Sequence, residues 1–155
     1  MGYDNDRIEQ DIMIAAPPER VWALVAQPGF WVIPDGGTIA APGELAEARE
    51  GSHTVSEHPG YGSYPVIVVR SDPPRYIAYR WASAFPGQEP GQGNSTLIEF
   101  TLSPEGAATR LRVTESGFAR LTASEVQRRK ALDDNTEGWA KILQLARGHI
   151  EQLPQ

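Results

Sequence analysis

The sequence predicts an α+β domain in which a curved antiparallel sheet of about six or seven strands wraps one long C-terminal helix. Three observations carry this expectation. Apolar residues alternate with period two in several runs, and short Gly- or Pro-bearing turns join most of them, as in a meander of antiparallel strands. A stripe at spacings of three and four then runs from Leu132 to Leu153. The strands do not alternate with helices, as a parallel sheet would require.

Residues 6–14 alternate, with Ile8, Gln10, Ile12 and Ile14 on one side, and read as the first strand. A short helix follows through Val21, Leu24 and Val25, with Pro17 and Pro18 at its start, where a missing N–H costs nothing. Pro28-Gly29 ends it, and Phe30–Ile33 reads as a second short helix. Residues 34–50, rich in Gly, Ala, Pro and Glu, read as a loop covering something. Strands are expected at 51–58, 64–71, 75–82, 95–103 and 108–117, with turns at Asp72-Pro73-Pro74 and Ser103–Gly106. Residues 83–94 form a Gly/Pro loop carrying Phe85 at its tip. The helix is expected over 122–153, with Thr122 and Glu125 at capping-box spacing. Leu132, Asn135, Trp139, Leu143, Ala146, Ile150 and Leu153 form its inner stripe. Gly138, costly inside a helix by about 1 kcal/mol, is expected to admit the close approach of another element.

The 155 residues suit a single domain, 1–155, able to bury a real core. The 14 basic and 20 acidic residues leave a net charge of −6 without a basic block, which argues against nucleic acid as a partner. The chain has no cysteine, so thiolate metal sites, iron–sulfur clusters and a cysteine nucleophile are excluded. Apolar runs of about six residues are too short to insert in a membrane. The polar Met1–Asp6 start is unlike a signal peptide, so a soluble, cytoplasmic protein is expected.

Several segments resemble a known superfamily. Ile14–Trp22 is similar to the opening motif of the START-like (SRPBCC, helix-grip) proteins. Asp72-Pro73-Pro74-Arg75, Tyr79-Arg80-Trp81 and Phe100–Gly106 resemble their central strands, and Thr109–Phe118 and Asn135–Trp139 their end. Together these resemble the bacterial branch related to the activator of heat-shock protein 90 ATPase (AHSA-like), over nearly the whole chain. The resemblance implies a helix-grip fold with a cavity between sheet and long helix. It does not imply one activity, because the fold hosts lipid carriers, polyketide cyclases and chaperone regulators alike.

The sequence carries no phosphate loop, His-Glu-x-x-His or nucleophile elbow, so no catalytic residue is assigned. No cofactor or metal is expected, since the histidines His53, His58 and His149 are isolated. Strand parity raises one acid–base candidate. If Val55 faces the cavity, so do His53 and Glu57, and if Val113 does, so does Glu115. The plainer alternative puts these groups at strand ends, in water, or has Glu115 bond backbone before the next loop. Trp31, Tyr79 and Trp81 fall where the fold lines its cavity, although aromatics also fill cores. Val69, Phe100, Leu143, Trp139 and Asn135 complete the candidate ligand-binding set, Trp139 more as core and Asn135 as a hydrogen-bonding group.

The function expected first is binding of a small hydrophobic or aromatic ligand, with no assured catalysis. A cyclase-, aromatase- or hydrolase-like enzyme and a co-chaperone-like interaction are the alternatives, and a homodimer stays open. Loops 34–50 and 83–94 are expected to gate the cavity.

Overall fold

The period-two runs fold as strands and the long periodic stretch as one helix. The structure, a computed structural model, describes residues 6–33, 49–58, 60 and 62–152. In chain order the elements are β1 (Arg7–Ile14), α1 (Pro18–Val25), β2 (His53–His58), β3 (Gly62–Asp72), β4 (Tyr76–Trp81), β5 (Thr96–Glu105), β6 (Ala108–Ser116), a 3-10 turn (Phe118–Arg120) and α2 (Glu125–Glu151). The six strands form one antiparallel sheet in the order β1-β6-β5-β4-β3-β2. The sheet curves around α2 in a helix-grip α+β arrangement. None of the described helices is long and apolar enough to cross a membrane.

Alternation decides the inner face. Ile8, Ile12 and Ile14 of β1 are buried, as are Ile98, Phe100 and Leu102 of β5 and Leu111 and Val113 of β6. Each fully buried side chain of this size contributes about 1.5–3 kcal/mol. Trp139, Leu143, Ala146 and Ile150 of α2 close the core from the other side. Tyr79 is buried on β4, and its hydroxyl donates to the Val25 carbonyl at the last turn of α1. Burial pushes that phenol well above its ordinary pKa.

Several expectations are corrected. Phe30-Trp31 lie in a turn, so one helix follows β1, not two. The residue capping α2 is Ser124, not Thr122: its hydroxyl accepts from the Gln127 N–H while the Gln127 side chain accepts from the Ser124 N–H. Thr122 instead bonds the Gly93 carbonyl through its backbone N–H. The β5–β6 hairpin turns at Gly106, because Pro104 and Glu105 continue the strand. A Cβ at Gly138 would meet nothing within 4 Å among the described residues, so none of the described elements approaches there.

The inward orientation expected of His53, Val55 and Glu57 is also corrected. β2 pairs with β3 so that Thr54 lies opposite Val66 and Ser56 opposite Tyr64, both buried. Thr54, Ser56 and His58 therefore share the inner face, and His53, Val55 and Glu57 the outer one. Val69 points out as well. The β3–β4 register shifts between Val68 and Arg70, leaving Val69 as the extra residue of a bulge. Val55 is 47% and Val69 44% exposed.

Candidate functional site

The site is built around Trp31. Gly29, at φ +81°, lets the turn after α1 press against β2, where a Cβ would stand 1.9 Å from Ser56 Oγ. The turn thus delivers Trp31 between the sheet and α2. Its ring lies 5.0 Å from Tyr79, 5.6 Å from Trp81 and 5.9 Å from both Phe100 and Trp139, centroid to centroid. Phe30 stands edge-on at 5.5 Å. Such tilted and T-shaped contacts suit aromatic quadrupoles. The interior expected to be an open cavity is therefore occupied, at this level, by packed rings.

The open space lies beside this cluster. A groove of about 1470 Å³ runs between α2, the turn after α1 and the segment Ser83–Pro86. Trp31, Tyr64, Trp81 and Phe85 give it aromatic walls. From α2 it receives Ala131, Asn135, Gly138, Ile142 and Leu145, all half-buried. These recur at spacings of four, three, four and three, a second helical stripe beside the one that enters the core. Lys130 and Lys141 border the groove alongside Asp134 and Glu137, and Lys130 pairs with Asp134 at 2.6 Å.

Behind the groove wall sits Glu115, fully buried on β6. Thr96 Oγ1 donates to its Oε2 at 2.6 Å and Trp81 Nε1 at 2.9 Å. Trp139 Nε1 donates to Oε1 at 2.7 Å, and Asn135 Nδ2 lies 3.1 and 3.2 Å from the two oxygens. Burial raises the carboxyl pKa above its ordinary value, and the bonds from Thr96, Trp139, Trp81 and Asn135 pull the other way. Indole donates only, so each oxygen faces a group that needs an acceptor. Asn135 also donates to Ser83 Oγ at 3.0 Å. Glu115 thus ties β4, β5, β6 and α2 together and orients two groups of the groove wall.

Of the expected ligand-binding residues, Trp31, Trp81 and Asn135 reach the groove. Tyr79, Phe100, Val113, Trp139 and Leu143 belong to the packed core. His53 faces out and pairs with Glu89 at 2.7 Å, so it forms no pair with Glu115. Tyr64, His58, Gly138, Ile142 and Leu145 line the groove without having been singled out as ligand-binding residues. Apolar Ile142 and Leu145, off the core stripe, were the available signal. Of the two loops expected at the mouth, residues 34–48 fall outside the described residues. The 83–94 loop contributes Phe85 and Pro86, and Asn94 bonds Gln88, Glu89 and Gly91 within it. No group of three His, Asp or Glu able to hold a metal occurs among the described residues.

A family model described as activator of Hsp90 ATPase homolog 1-like protein matches residues 15–146. The chain belongs to this family. Among solved structures it is similar to protein MLL2253 from Mesorhizobium loti, at 19% identity and TM-score 0.71, covering 96% of this chain and 99% of that one. It is similar to DynU16, a protein of the dynemicin biosynthetic locus, at 19% identity and TM-score 0.67, covering 95% of this chain and 48% of that one. It is also similar to the Aha1 dimer from Colwellia psychrerythraea, at 19% identity and TM-score 0.66, covering 94% and 96%. Among curated proteins, no sequence matches. At these identities the structures show that this AHSA1-type chain shares their fold.

Proposed function

We propose that this protein binds a small hydrophobic or aromatic ligand in the groove beside α2. The observation that carries this reading is the aromatic wall of Trp31, Tyr64, Trp81 and Phe85 around about 1470 Å³ of open space. Polar groups such as His58, Ser83, Gln127 and Asn135 join the apolar lining, a mix in keeping with sites that hold apolar molecules and orient them by hydrogen bonds. Gly138 adds support. It weakens the helix without admitting a neighbour from the described residues, and it leaves room on the groove floor.

The acid–base alternative has weaker support. Glu115 is the buried carboxyl such chemistry would use, but Trp81, Thr96, Trp139 and Asn135 already saturate it. It stands behind Trp81 and Asn135 rather than in the groove. We read it as the anchor of the wall. A cytoplasmic location and a homodimer are compatible proposals.

Titration with an apolar ring compound tests the reading. Tryptophan emission is expected to change saturably, and Trp81→Phe to reduce that change. Native mass spectrometry of the purified protein is expected to show a bound small molecule. Unchanged emission across a series of rings and fatty chains would leave a protein-interaction role as the better account.

A further inference from the structure

Asn135 is held in one orientation on the groove wall. Its Nδ2 donates to Ser83 Oγ at 3.0 Å and lies 3.1 and 3.2 Å from the two Glu115 oxygens. An amide nitrogen carries two hydrogens, so these two partners occupy both. A carboxylate only accepts, which fixes the end of the amide that faces it. Thr96, Trp81 and Trp139 hold Glu115 in turn, so the anchor stays in place.

The other end of the amide is left over. Asn135 Oδ1 accepts no hydrogen bond from the described residues. It is not sealed in the core, because the one described side-chain polar atom both buried and unpartnered is Trp31 Nε1. Glu115 and Trp139, on the inner side of Asn135, are buried, whereas Asn135 itself is half-buried and lines the groove. The open side of the residue is the groove side, and Oδ1 is reached from there. The same wall carries the rings of Trp31, Tyr64, Trp81 and Phe85. A ligand that covers Oδ1 takes it out of water, and ring carbon offers nothing in exchange. A site of this kind discriminates against molecules that lack the matching hydrogen-bonding group. The charges at the groove balance, Lys130 and Lys141 against Asp134 and Glu137, which favours a neutral donor over an ammonium.

The geometry points to Asn135 as the specificity-determining residue of the groove, accepting through Oδ1 an N–H or O–H carried at the edge of a flat, neutral, apolar ring system. The inference rests on the groove binding proposed above and narrows it.

The test uses fluorene, carbazole and 9-fluorenone, rings of nearly equal shape that carry no polar hydrogen, an N–H donor and an acceptor oxygen respectively. Dissociation constants are measured by equilibrium dialysis, alongside the Asn135 side-chain carbonyl resonance of the ¹³C-labelled protein. The wild type is expected to bind carbazole about fivefold tighter than either of the others. The Asn135 ¹³Cγ resonance should move downfield with carbazole relative to fluorene, whose ring currents are similar. Asn135→Ala should abolish the preference for carbazole, whereas Gly138→Leu should weaken all three. If Asn135→Ala fails to fold, the wild-type resonance decides alone. Equal affinities in the wild type, 9-fluorenone binding as tightly as carbazole, or a carbazole preference with an unmoved Asn135 resonance overturn the assignment and leave groove binding standing. If none of the rings binds the wild type, both readings fall.

Discussion

Glu115 shows what one side chain can organise. Its two oxygens take donors from two neighbouring strands and the helix, and without it the buried Thr96 hydroxyl and Trp139 N–H would lose their acceptor. Glu115→Ala is therefore expected to destabilise the fold by at least about 3 kcal/mol in urea titration. The pH dependence follows from the direction of its shift. Burial holds the folded pKa above the ordinary 4.5, so the folded state binds the proton more tightly than the unfolded chain. The contribution is fully present below pH 4.5 and is lost as the pH rises toward the folded value. Glu115→Gln should flatten that slope, as urea midpoints at a series of pH values above 4.5 would show. An unaltered slope would mean that another group sets it. Parity with Leu111 and Val113 made the inward path of Glu115 legible in the sequence. Its partners were not, because Trp81, Thr96, Trp139 and Asn135 meet only in the folded sheet. His53 and Glu57 were misread from Val55, the only apolar residue of an edge strand that buries almost nothing there.

At the scale of elements, α2 carries two stripes, and only one is core. Leu132, Trp139, Leu143, Ala146 and Ile150 were readable from period alone. The half-buried stripe through Asn135, Gly138 and Ile142 was partly folded into that reading, since periodicity shows that a face is apolar but not what it meets. Two substitutions on α2 should act in opposite directions. Gly138→Ala is expected to raise stability by about 1 kcal/mol, because a Cβ there meets nothing within 4 Å. Ser124→Ala should lower it by about 1 kcal/mol through loss of the capping box. Thermal midpoints of the two variants, moving up and down respectively, check both. The strands were legible to within a few residues, since alternation and turns mark them. The bulge at Val69 was not, because Val66–Val69 is apolar at every position and period two cannot choose a face.

For the whole molecule, the fold class and family were visible in the order of segments, while the place of the open space was not. The cluster around Trp31 fills the interior between sheet and helix, and the groove lies to its side. A ligand held there should stabilise the chain by about 2.7 kcal/mol at one hundred times its dissociation constant, read as a rise in the thermal midpoint. We expect the chain to unfold in one cooperative transition with or without ligand. The measurement that bears most directly on the account is a ¹⁵N–¹H correlation map of the protein titrated with fluorene or 9-fluorenone. The account predicts saturable shifts concentrated at Trp31, Tyr64, Trp81, Phe85, Gly138 and Ile142. A map that stays unchanged, or shifts confined to the outer face around Val55 and Val69, would contradict it.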